Sequence, residues 1–306
     1  MVNIRLLFIA TLLTMVLNAS AALAESGVDL TLGAGYRHDT LDWNIAGDTS
    51  GANPNILSEL TWKDIESYQV KLTGKANIKD IVYLRGYANY GWIYSGENQD
   101  SDYLADNRAG EYSRSNNKSD SGNVSDYSIG GGLLTRYANP EGVIEFAPMV
   151  GWSQHRQNLR ITDGYQTIPA TGAFKGLDSS YRARWHGPWY GVDLSYKHPR
   201  FTVSGAFEYH FNGKYYATAN WNLRSDFQRP RSFEHFADGK GRVGSVDASF
   251  ALTKRISLTA GGRYQKWRTE MGIDRTYFSN GVIADTRLNE ANWTSYEFLA
   301  GGMLSL

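Results

Sequence analysis

A two-residue rhythm with charges in the middle of it constrains this chain more than any other feature. Val28, Leu30, Leu32, Ala34 and Tyr36 alternate with Asp29, Thr31, Gly33, Gly35 and Arg37. In an extended strand, side chains two apart share a face. The same alternation begins again at Tyr68, Val82, Tyr127, Ile144, Tyr190, Phe201, Val246, Ile256 and Tyr296, the last run ending at Leu306. That predicts ten strands. Their other faces carry Lys71, Arg85, Asn89, Arg136, Glu208, His210, Asp247, Arg263 and Glu297. An Arg or Lys facing lipid at the bilayer midplane costs roughly 2–4 kcal/mol, so these faces must line a polar lumen. The predicted fold is all-β: a ten-stranded antiparallel transmembrane β-barrel. A soluble lumen-binding barrel would reverse the faces, with apolar side chains inside.

The connections agree. Asn77–Asp80, Ala138–Gly142, Lys197–Arg200 and Thr253–Arg255 are short turns, and between them run long polar stretches, about 38–55, 96–125, 163–180, 212–242 and 268–291. Short periplasmic turns and long external loops are the outer-membrane arrangement. The third and fifth strands are long enough for the barrel to project above the membrane. The first residues contain Arg5, an apolar run from Leu6 to Leu17, and Ala22-Leu23-Ala24. This reads as a signal peptide over 1–24, followed by a barrel domain over 25–306. No later window reaches the ~20 apolar residues of a spanning helix, whereas 20 Tyr, 9 Trp and 32 Gly suit a barrel. With 31 basic and 31 acidic residues there is no basic face for nucleic acid. The chain has no cysteine, so thiolate metal sites are excluded, and no metal-ligand cluster or phosphate-cradling loop is visible. Gly130-Gly-Gly132 and Gly301-Gly302 read as close barrel packing.

Asp100 and Asp102, two apart, could converge on one spot. Around them, Leu57–Lys63, Lys71–Ile78, Tyr90–Gly96 and Asp100–Tyr103 resemble the omptin family of outer-membrane proteases. The resemblance continues through Met149–Arg156, Ser180–Gly191 and Phe207–Tyr209 and spans essentially the whole mature chain. It implies a groove at the extracellular mouth in which an aspartate pair faces an aspartate–histidine pair across a water. The histidine is the general base, and its carboxylate partner fixes the tautomer. Asp100 and Asp102 match the first pair. The second falls on Ala219 and Trp221, neither of which accepts a proton, and two further acidic groove positions fall on Leu41 and Arg114. Among the six histidines, His235 in Phe233-Glu-His-Phe236 is the candidate displaced base, with His38 in the first loop behind it. His198 belongs to a periplasmic turn, His155 and His186 to segments matching the family's lipid-binding strands, and His210 to an interior pair with Glu208.

Omptins require lipopolysaccharide, and the resemblance places its contacts on Arg156 and Arg184, with Gln154 in place of an acidic neighbour. Parity independently turns both arginines outward, where guanidinium suits lipid phosphate. No other cofactor is expected. The expected partners are outer-membrane lipids, lipopolysaccharide and a peptide or host-protein ligand at the extracellular loops of a monomer. The functional expectation is a barrel with a degenerate proteolytic site and a binding or adhesion role. Its alternatives are an active endopeptidase using Asp100, Asp102 and His235, and a small channel, although a ten-stranded barrel should be plugged by its own side chains.

Overall fold

The computed structural model describes residues 26–306, so the predicted signal peptide lies outside the described residues. The chain is all antiparallel β: β1 (Ser26–Ile45), β2 (Ser58–Ile78), β3 (Val82–Ala105), β4 (Ala109–Lys118), β5 (Gly122–Leu133), β6 (Thr135–Asn139), β7 (Gly142–Ile168), β8 (Gly172–Ala173), β9 (Asp178–Lys197), β10 (Phe201–Asn220), β11 (Phe233–Ala251), β12 (Ile256–Thr269), β13 (Gly272–Tyr277) and β14 (Ile283–Ser305). These fourteen form one sheet that closes through β1 against β14, in register from Asp29↔Ser305 to Asp42↔Asn292. Closure leaves no lipid-exposed edge, the condition for crossing a bilayer with strands.

The fourteen strands make ten staves. β4, β5 and β6 are one interrupted stave, since all three pair with β7. β12 and β13 are another, each lying between β11 and β14. β8 is a short hairpin on β7. The ten predicted strands are all present in the predicted order. Their membrane-facing side is exposed and apolar, from Leu84, Ile129, Phe146 and Val246 up to a girdle that includes Tyr68, Trp92, Trp152, Tyr190 and Tyr296.

The long stretches predicted as loops are largely strand. β1 runs on to Ile45, β3 to Ala105, β7 to Ile168, and β10 to Asn220. The 24 residues of β3 extend roughly 80 Å as strand, far more than the apolar band of about 25 Å. Above that band the outer face meets water, so outward residues are polar and the segments look loop-like in sequence. The predicted turns are short, and at the first, Lys79 (φ 50°) and Asp80 (φ 56°) are both left-handed. Left-handed residues suit a tight hairpin that follows strand twist, here three residues long between the register partners Ile78 and Val82.

The lumen is filled in two layers. Toward the extracellular end, Leu41, Trp43, Leu60, Trp62, Tyr181, Trp185, Tyr215, Trp267 and Trp293 form a buried aromatic plug. Beneath it lies a charged layer containing Arg37, Asp126, His155, Gln265 and Glu297, each 0% exposed. Arg37 donates through Nε to Asp39 (2.8 Å) and through Nη1 to Asp126 (2.6 Å). A buried ion survives only when its remaining donors and acceptors are satisfied, and here Trp293 Nε1 also donates to Asp39 (2.7 Å) and Gln265 Nε2 to Glu297 (2.8 Å).

Candidate functional site

Asp100 and Asp102 lie on the extracellular extension of β3. Their register partners on β2 are Leu60 and Ser58, and on β4 Ser115 and Ser113. Leu60 is buried in the plug, so shared parity turns both carboxylates toward the mouth interior. There they meet Trp221, whose indole N–H favours the charged form of Asp100, and the positive charge of Arg224. Burial and the neighbouring Asp102 push the Asp100 carboxyl up to about 8. Burial raises Asp102 as well, partly countered by hydrogen bonds from Ser58 and Ser113. Two acids so close share their protons as a pair.

The histidine candidate lies elsewhere. His235 on β11 faces inward and is fully buried. Its Nδ1 meets Tyr181 Oη at 2.8 Å, and that hydroxyl in turn meets Tyr215 Oη at 2.5 Å. Its Nε2 sits 3.1 Å from Asp274 Oδ1, off the line of a hydrogen bond. Glu234, its sequence neighbour, points to the other face and accepts from Tyr277 (2.5 Å) and from Tyr216. Aromatic rings separate His235 from the aspartates: Phe233 packs 5.2 Å from His235 and 4.8 Å from Trp221, the residue against Asp100. The structure thus brings Asp100 and Asp102 together but puts His235 with Asp274.

Of the positions that the omptin resemblance assigned to groove acids and base, all but Arg114 are apolar and packed in or against the plug. Leu41 and Ala219 are each 2% exposed within the plug, and Trp221 packs against it. Arg114 pairs instead with Glu111 on its own strand. Asp274 lay in a segment read as loop, and only the β11–β13 register sets it opposite His235.

Three of the remaining histidines also have polar partners. His38 lies on β1 rather than in a loop, with Nε2 3.1 Å from Asp64. His210 pairs with Glu208 as expected (3.1 Å). His155 faces the lumen, not the lipid wall, because the parity that turns Arg156 outward turns its neighbour inward. It joins Asp126 (3.0 Å) and Ser153 (3.0 Å), and Ser153 also meets His210 (3.2 Å). That Asp126–His155–Ser153 chain has the connectivity of a nucleophilic triad. All three residues are 0% exposed, so no substrate reaches the hydroxyl and the chain serves to satisfy buried polar groups.

On the outer wall, Arg156 and Arg184 are direct register partners across β7 and β9. Arg156 is exposed. Arg184 lies over the Tyr216 ring at 5.4 Å. With its amide exchanged end for end, Gln154 accepts from Arg156 at 3.1 and 3.2 Å. Both guanidinium groups stand above the aromatic girdle, on the face predicted for them.

Comparison with known proteins bears on the whole barrel. The outer membrane protease OmpT from Escherichia coli superposes with a TM-score of 0.77 at 13% identity, covering 92% of this chain and 97% of that one. At that identity the likeness is one of fold. OprG from Pseudomonas aeruginosa is matched at 11% identity over 91% of this chain and 95% of that one, with a TM-score of 0.36. No curated protein sequence matches the chain. The family model described as Pom, Protochlamydia outer membrane protein, matches residues 31–302, and the chain belongs to that family of the bacterial outer membrane.

Proposed function

We propose that this chain is an omptin-fold barrel without the usual proteolytic centre, acting at the cell surface as a binding or adhesion protein through its extracellular rim. One observation carries the reading: Asp100 faces Trp221, not a histidine, and the rest of the mouth is packed with aromatic rings. Without a base the typical general-base gain of roughly 10²–10⁴-fold is lost. Burial and Asp102 also disfavour the charged Asp100 carboxylate, which makes it a poorer holder of a nucleophilic water. Binding is supported by apolar side chains left exposed on the rim, among them Leu104 (71%), Leu223 (48%) and Ile283 (58%), all beyond the aromatic girdle. Exposed apolar groups that lipid does not cover are where partners dock. The paired Arg156 and Arg184 support lipopolysaccharide as the lipid partner, since two forked donors suit its phosphates.

The test is cleavage of a dibasic fluorogenic peptide by refolded protein with lipopolysaccharide, comparing wild type, Asp100→Ala and His235→Ala. The wild type should not cleave. Cleavage that disappears in both variants would overturn the proposal in favour of an endopeptidase with a displaced base. In the same preparations, replacing Arg156 and Arg184 together with Gln should weaken lipopolysaccharide binding, and unchanged binding would remove that partner. Cells displaying the barrel should adhere to cultured host cells, and Leu104→Asp with Ile283→Asp should reduce adhesion. Equal adhesion by non-displaying cells would end the binding reading.

A further inference from the structure

We propose that the periplasm-facing vestibule of the lumen binds a small oxyanion, a carboxylate or phosphate, held by Lys71 and Arg263 against Tyr87. Below the charged layer the barrel retains a cavity of about 170 Å³. That is many times the roughly 10–15 Å³ needed to hold one water. Its outer part is lined by residues at the short-turn ends of strands, such as Asp29, Lys197 and Met303, and its inner end by Tyr87, Glu208 and Arg263. Above, the buried Arg37, Asp126 and Glu297 close it. It is therefore a blind pocket, entered from the periplasmic side.

Within it, most charges are matched. Arg85 reaches Asp193 (3.1 Å) and Glu208 (2.8 Å), and Lys197 reaches Glu145 (2.9 Å). Arg263 is different. Its guanidinium lies over the Tyr87 ring at 4.2 Å and donates to the Tyr87 hydroxyl, while its Nε is buried without an acceptor. The carboxylates around it are engaged: Glu208 by Arg85 and His210, and Glu297 by Gln265. Lys71 extends its ammonium over the same ring at 4.6 Å, with its paired carboxylate, Glu297, 3.9 Å away. Arg263 is only 7% exposed. Two cations share one phenol, and the buried one keeps an idle donor at the inner end of the cavity. A buried donor left without an acceptor is costly, and an oxyanion entering the vestibule would supply the acceptor that the engaged carboxylates do not. Guanidinium offers it a fork and ammonium a point charge. Asp247 also lines the cavity. It is the protein's own competitor for these cations.

The experiment is isothermal titration calorimetry of the refolded full chain in detergent micelles, at constant ionic strength, with inorganic phosphate and with citrate. Saturable one-to-one binding is expected for at least one anion, and the one that binds tells phosphate from carboxylate. Lys71→Gln and Arg263→Gln should each weaken it at least about tenfold, the loss of one charge-assisted hydrogen bond. Asp247→Asn should strengthen it. Replacing Arg156 and Arg184 should leave it unchanged, which separates the lumen from the outer wall. Absence of saturable binding to either anion, or equal affinity in wild type and Lys71→Gln, would overturn the proposal. Folding of each variant is checked by heat-modifiable gel mobility. If Arg263→Gln does not fold, Lys71→Gln and Asp247→Asn decide, since the Lys71 side chain is 14% exposed and tolerates change better.

Discussion

Asp100 illustrates how much one neighbour sets a residue's chemistry. Its carboxyl is moved from 3.8 up to about 8 by burial and by Asp102. Between those values the folded chain holds a proton that the unfolded chain has released, so this group lowers stability as pH rises across that window. Asp100→Asn removes the titration. It should be more stable than wild type at pH 8 and show a flatter pH dependence between 5 and 8 in denaturant unfolding from micelles. A variant with the wild-type slope would mean that the carboxyl is ionised at neutral pH. The spacing of Asp100 and Asp102 made their convergence legible in the sequence, and alignment placed Trp221 opposite. His235 was legible only as a histidine. Its partner Asp274 lies 39 residues on, and adjacent strands, not sequence distance, decide that contact.

At the scale of elements, alternation located every stave inside the membrane band, because lipid on one side and a polar lumen on the other impose opposite chemistry on neighbouring residues. It failed above the band. Along β10 the run from Lys214 to Asn220 alternates inward Tyr215, Ala217 and Ala219 with outward Lys214, Tyr216, Thr218 and Asn220, and small or polar residues blur the contrast. Of the glycines read as close packing, Gly130, Gly132 and Gly301 leave no room for a Cβ, whereas one on Gly302 would meet only Ser257 O at 3.9 Å. A Cβ on Gly151 would sit 2.4 Å from the Trp189 ring, and one on Gly130 2.5 Å from it. Gly151→Ala should therefore destabilise the barrel by about 1–3 kcal/mol, the usual range for overpacking, measured as the shift in denaturant midpoint. A neutral substitution would show that Trp189 has room to move.

For the whole molecule, the decisive property is that the lumen is sealed twice, by rings above and by paired charges below. An open pore needs a continuous wet path, and a ten-stave barrel has too little interior to keep one beside eight or more large side chains. Reconstituted in planar bilayers, the wild type should give no stepwise conductance, and stable unit currents would refute the sealed lumen. The sequence alone determined the barrel and which face each residue takes within the membrane band, because a period of two read against the cost of charge in lipid admits one answer. Tertiary structure alone decided which interior side chains meet. Arg37 finds Asp126 across 89 residues and Arg85 finds Glu208 across 123. Contacts across a lumen depend on closure and stagger of the ring, which no local pattern encodes.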